Sequence, residues 1–142
     1  MRAYVASGWW GKEQEKARIQ ILDACKFAEL QVYSPKDDFL YIKGKTNPQE
    51  VFEENIKQIT NSNLVIASTV DKDMGTLFEC GFSYSIGIPL IYYWPGGEGP
   101  FNLMLSQTAK QVCTSFELLK FSLQNVIKDG FVRYIEYKGE IE

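Results

Sequence analysis

Short apolar runs alternate along this chain with longer stretches whose apolar residues recur at helical spacing. Arg2-Ala-Tyr-Val-Ala6, Leu30-Gln-Val-Tyr33, Leu64-Val-Ile-Ala67 and Pro89-Leu-Ile-Tyr-Tyr93 are strand-like runs, and Gln111-Val-Cys113 is a shorter fifth. Runs with so little alternation suit strands buried on both faces of a parallel sheet. Between the first two, Ala17, Ile21, Ala24 and Ala28 fall on one face of a helix expected from Lys12 to about Glu29. Asn47-Pro48-Gln49-Glu50 has the N-cap, N1 and N3 residues of a helix start, and the helix is expected to reach Thr60. Val51, Phe52, Ile56 and Ile59 mark its buried side, with Asn55 beside that stripe.

A third helix is expected from about Gly75 to Ile86, ended by Gly87, with Phe78, Gly81, Phe82 and Ser85 on its apolar face. Thr114-Ser-Phe-Glu117 reads as a capping box opening a last helix that Asp129-Gly130 ends. Lys36 to Thr46 is expected as a long polar loop, either a ligand flap or mobile surface. Trp94 to Pro100 reads as a Gly/Pro-rich turn, and Phe131 to Tyr137 as an edge strand or an extended arm that reaches a neighbouring subunit. This order predicts an α/β domain spanning residues 1–142. It would have about five mostly parallel strands with helices on both faces.

Composition narrows the chemistry. At 142 residues and 45% apolar content the chain can bury one core. A formal charge of −3 gives no footprint for a nucleic-acid polymer or an anionic membrane. No apolar run is long enough to span a bilayer, and Met1-Arg-Ala-Tyr-Val reads as a strand, not a signal peptide. Cys25, Cys80 and Cys113 lack metal-like spacing and read as reduced packing residues of a cytoplasmic protein. There is no histidine, which excludes a His general base and Ser-His-Asp or Cys-His catalysis. Carboxylates, tyrosine, lysine or cysteine must carry any reaction. Neither a dinucleotide fingerprint nor a P-loop is present.

The chemistry-bearing stretch is Asp73-Met-Gly-Thr-Leu-Phe-Glu79-Cys-Gly81 through Gly87. It follows a buried strand, and in open α/β sheets ligands bind where strands end and helices begin. Asp73 and Glu79 both belong to that rim, although a solvated acidic loop and a first-turn glutamate would look the same. Ser7-Gly8-Trp9-Trp10-Gly11 follows the first strand, and its tryptophans either cap the core or form a flat wall for an aromatic ligand. Asn55 is either a packing amide or a site residue.

Three segments together resemble the nucleoside 2′-deoxyribosyltransferase family: Tyr4-Val-Ala-Ser-Gly8-Trp9-Trp10 with Gln14 to Ala17, Asp73 to Gly87, and Phe101-Asn102-Leu103-Met104. Their order and spacing match across nearly the whole chain. The resemblance implies a flavodoxin-like fold and a homo-oligomer whose sites are completed by a neighbouring subunit. It also implies exchange of free nucleobases on the 2-deoxyribose of a deoxynucleoside, with no cofactor or metal. By position, Glu79 matches the nucleophile and Tyr4 the tyrosine that orients it. Asp73 matches a base-contacting residue and is the first candidate for protonating the leaving base. Gly8 and Trp10 match pocket-lining positions, and Asn102 and Met104 a segment reaching the sugar of the adjacent subunit's site. Asn55 stands where many members carry an aspartate, and an amide can hold a base but cannot shuttle a proton. A hydrolase of the same superfamily, cleaving deoxynucleosides or nucleotides, and a non-catalytic nucleoside-binding protein are the alternatives. No basic residue lies among Ser7 to Gly11, which disfavours a phosphorylated substrate.

Overall fold

The computed structural model describes residues 1–96 and 99–142. Gly97 and Glu98 of the expected Trp94–Pro100 turn lie outside the described residues. Five parallel strands, β1 (Arg2–Ser7), β2 (Gln31–Tyr33), β3 (Leu64–Ser68), β4 (Leu90–Tyr93) and β5 (Ala109–Cys113), lie in the order β2-β1-β3-β4-β5. That is the flavodoxin-like order, with the β1/β3 boundary as its switch point. The helices are α1 (Lys12–Phe27), α2 (Pro35–Asp38), α3 (Pro48–Thr60), α4 (Met74–Ser85), α5 (Leu103–Thr108) and α6 (Phe116–Asp129).

Side chains alternate across the sheet, as the strand period of two requires. Ala3, Val5, Leu64, Ile66, Ile91 and Tyr93 face one core, which α1 and α6 cover. Tyr4, Ala6, Val65, Ala67, Leu90 and Tyr92 face the other, with Ile59 of α3 and Cys80 of α4. The parallel register sets Tyr4 directly beside Tyr33, which brings two aromatic hydroxyls to one face.

Local signals account for most element ends. Asn47 accepts the Gln49 N–H at 2.9 Å and starts α3, and Gly130 ends α6 at φ 79°. Glu29, at φ 58°, lies just past the end of α1. The expected capping box at Thr114–Glu117 does not form. Ser115 is the N-cap, accepting the Leu118 N–H, and Glu117 pairs with Lys120 instead. The expected loop after β2 begins as the short helix α2, with Pro35 at its first turn. Arg18, 5% exposed, clamps it by two bonds to Glu15, one to Asp37 and one to Ser34.

The buried face of α4 is not the expected one. Thr76, Cys80 and Ser83 face the sheet, whereas Phe78 is 54% exposed and Gly81 and Ser85 are open to solvent. Phe52 of α3 is likewise exposed, and packs on Phe78 with ring centroids 5.9 Å apart. Of the two expectations for the tail, the extended arm holds, and it folds back on its own chain. The Ile135 N–H donates to the Lys110 carbonyl, and the Phe101 and Leu103 N–H groups donate to the Glu140 and Glu142 carbonyls. No helix of the described residues is long and apolar enough to cross a membrane.

Candidate active site

The β3–α4 connection builds the rim of the site. Val70–Lys72 form a 3-10 turn in which Asp71 and Lys72 take φ of 56° and 54°. Such left-handed backbone is strained for residues with a Cβ. Asp73 then caps α4: its Oδ2 accepts both the backbone N–H and the hydroxyl of Thr76 at 2.8 Å, leaving Oδ1 without a hydrogen-bond partner among the described residues. Six residues on, Glu79 falls on the sheet-facing side between Thr76 and Cys80.

The Tyr4 hydroxyl, on a fully buried side chain of β1, donates to Glu79 Oε1 at 2.6 Å. Burial pushes the Glu79 carboxyl up to about 7; the Tyr4 bond opposes that shift and the nearby Asp73 charge adds to it. Burial, reinforced by the Glu79 charge, also raises the Tyr4 phenol far above its ordinary range, so it stays a donor. Among the described residues Oε2 of Glu79 has no hydrogen-bond partner. A carboxylate held by one oxygen, with the other open, can form a bond to carbon or take up a proton at neutral pH.

Tyr33 adjoins the Tyr4–Glu79 pair, a placement the local sequence pattern does not reveal. Its ring stacks on Tyr4 at 5.7 Å and 23°, and its hydroxyl donates to Asn55 Oδ1 at 3.4 Å. Tyr4, Tyr33, Glu79, Asp73 and Asn55 thus form one neighbourhood across β1, β2, α3 and α4. The only sequence signal for Tyr33 is an aromatic at the end of the strand after the first helix, and the β1–β2 register gives it meaning.

Gln14 is a second addition. It is 6% exposed, and its Oε1 accepts the Trp10 and Gly11 N–H groups while Nε2 donates to the Val70 carbonyl. It ties the β1–α1 loop to the rim of α4. A Cβ at Gly8 would lie 2.8 Å from the end of the Gln14 side chain, so a larger residue there would displace that amide.

Other candidates stand apart in the single chain. Trp10 stacks against Trp9 at 5.3 Å yet is 75% exposed. Asn102 caps α5 by accepting the Leu105 N–H, and Met104 is 71% exposed. Asn102 lines a cleft of about 540 Å³ with Thr69, Lys72, Leu77, Trp94 and Glu142. Glu79 and Tyr4 are not among its lining residues. Among the described residues no group of three or more Cys, Asp or Glu side chains is arranged to hold a metal ion.

The family model for nucleoside 2-deoxyribosyltransferases matches residues 3–112. No curated protein sequence matches the chain. Among solved structures, a 2-deoxyribosyltransferase from Bacillus psychrosaccharolyticus is similar over 95% of this chain and 99% of its own, at 19% identity and TM-score 0.79. A conserved protein from Enterococcus faecalis V583 is similar over 88% and 98%, at 14% identity and TM-score 0.74. The CMP N-glycosidase of Clostridium botulinum is similar over 88% and 99%, at 18% identity and TM-score 0.60. At such identities the likeness establishes a shared fold.

Proposed function

The chain belongs to the nucleoside 2-deoxyribosyltransferase family, and on that premise we propose that it exchanges nucleobases on 2′-deoxyribose through a covalent glycosyl ester on Glu79. The observation that carries this reading is the 2.6 Å bond from the buried Tyr4 hydroxyl to Glu79 Oε1. It fixes one carboxylate oxygen and leaves the other to meet C1′.

In the first half-reaction Glu79 is ionised. Its Oε2 bonds to C1′ as the C1′–N bond to the base breaks, and positive charge developing on the sugar is stabilised by the carboxylate. The bond's electron pair leaves with the base, which takes up a proton; the free Oδ1 of Asp73 is our candidate for that contact. Asn55 has no acidic proton to give, so it cannot take that role. In the second half a different base attacks C1′ from the face the first one left, its ring N–H proton returns to the group that protonated the first base, and the Glu79 carboxylate is released. Two inversions give net retention. No metal or organic cofactor enters any step.

Homo-oligomeric assembly is part of this reading. Asn102 lines a cleft whose lining does not include Glu79, Met104 lies largely in solvent, and on this reading both reach a neighbour's sugar. The exposed Met74, Phe78, Phe52 and Tyr84 give α3 and α4 an apolar outer surface of the kind that another copy covers. The substrates are a deoxynucleoside and a free base, and the setting is nucleoside salvage in the cytoplasm.

Hydrolysis by water in place of the second base is the second reading. It is favoured by the N-glycosidase that shares the fold. A base-exchange assay separates the two: purified protein, a deoxynucleoside donor, a different free base and chromatography of products, beside a Glu79→Ala control. A new deoxynucleoside that is missing in the control is expected. Free base and free sugar without exchange would favour hydrolysis, and no turnover with any donor would leave a binding protein.

A further inference from the structure

Beside the Tyr4–Glu79 pair, Tyr33, Asp38, Phe39 and Glu54 line a recess of about 240 Å³, and we propose that it is the nucleobase subsite and selects bases that present exocyclic amino groups. This rests on the transferase reading for its place beside the sugar carbon. Tyr33 connects the two, since its ring stacks on Tyr4, whose hydroxyl holds Glu79. Phe39 packs against the core cluster that contains Tyr4 and Tyr33. It is therefore a fixed apolar wall against which a planar base can lie.

The polar atoms of the recess are acceptors. Tyr33, 5% exposed, already gives its one hydroxyl proton to Asn55, so what remains at its oxygen is a lone pair. Asp38 accepts the Ser34 N–H through Oδ2 at 2.7 Å, with Oδ1 unused among the described residues. Glu54 accepts one bond from Gln58 through Oε1. Its Oε2 meets only the largely exposed Lys57 ammonium, 3.9 Å away. None of these atoms can donate while the carboxyls are ionised. An exocyclic amino group supplies the protons such a wall lacks. A carbonyl oxygen at the same place sets lone pair against lone pair and leaves both sides unpaired, the stronger form of discrimination. Adenine and cytosine fit; hypoxanthine and uracil, which carry oxygen there, do not. Arg18 makes the recess rigid, since its clamp on Asp37 and Ser34 fixes the turn that carries Asp38 and Phe39.

The test compares matched donors: 2′-deoxyadenosine against 2′-deoxyinosine, and 2′-deoxycytidine against 2′-deoxyuridine, by kcat/KM for base release. The amino member of each pair is expected to lead by at least about tenfold. Glu54→Gln adds a donor, so it should slow the amino member and speed the oxo member; a merely structural role would slow both alike. A ratio at or below unity, or one that neither Glu54→Gln nor Asp38→Asn moves, would overturn the proposal. Calorimetric titration of the wild-type protein with free adenine and free hypoxanthine separates this from failure of the transferase reading. If no donor turns over, tighter binding of adenine still supports the recess, and equal or reversed affinities refute it.

Discussion

Glu79 and Met104 belong to two segments that the family resemblance assigns to one site, and the chain finishes them to different degrees. Around Glu79 the polar groups are largely settled within one chain: Tyr4 donates to Glu79, Thr76 donates to Asp73, and Tyr33 donates to Asn55. The β1–β2 register and the α4 cap fix that geometry before any ligand arrives. Around Asn102 the structure is a short capped helix whose Leu103 and Met104 side chains lie 50% and 71% in solvent. The same contrast divides α4. Its sheet side carries small and polar residues beside the carboxylate, while Met74, Phe78 and Tyr84 project outward. On the proposed reading, the chemistry is therefore prepared inside the chain, and closure over the sugar comes from a second copy.

The largest expected effect breaks the first region. Glu79→Ala should lower exchange by at least about a thousandfold, with the far-ultraviolet circular dichroism unchanged. Near-normal rates would remove Glu79 from the chemistry. Asn102→Ala tests the second region and should cost about a hundredfold if that residue reaches a neighbour's site. Mixing the Glu79→Ala and Asn102→Ala proteins under subunit exchange should then restore activity, because mixed assemblies hold some sites with both residues intact. If the mixture gains nothing, Asn102 does not act across copies.

Tyr4→Phe should slow the reaction about tenfold and move its pH profile. Activity needs ionised Glu79, so the wild-type rate should rise with pH through about 7. The Tyr4 bond favours the ionised form, so without it the rise must shift to higher pH. An unshifted profile would mean that the bond does not tune Glu79.

The smallest effect is on stability. The folded state holds the Glu79 proton more tightly than the unfolded chain does. Its contribution is therefore full below the ordinary glutamate pKa near 4.5 and is lost as pH rises through about 7. Glu79→Gln should thus stabilise the fold by roughly 2 kcal/mol at pH 8, allowing for residual solvent contact, and hardly at all at pH 5. Thermal melts at the two pH values check this.

The sheet was legible because strands buried on both faces are nearly uninterrupted apolar runs, and caps such as Asn47 and Gly130 carry their own local geometry. The pairing of Tyr4 with Glu79 was legible only through the family resemblance, since nothing in local spacing joins residues so far apart in the chain. Tyr33 escaped for the same reason: strand register is a long-range fact. The inward face of α4 was misread for a different cause. Hydrophobic periodicity finds the face that avoids water, and in α4 that face points out of the monomer, while Thr76, Cys80 and Ser83 fit close against the sheet. The same error placed Phe52 inside.

The central claim is a covalent glycosyl ester on Glu79, and acid quenching during turnover of a deoxynucleoside tests it most directly, followed by intact mass and peptide mapping. The account predicts a mass gain of one deoxyribose less one water, located on the peptide carrying Glu79 and discharged when a free base is added before the quench. Turnover with retained configuration but no adduct on that peptide, under conditions where the ester survives, would contradict it.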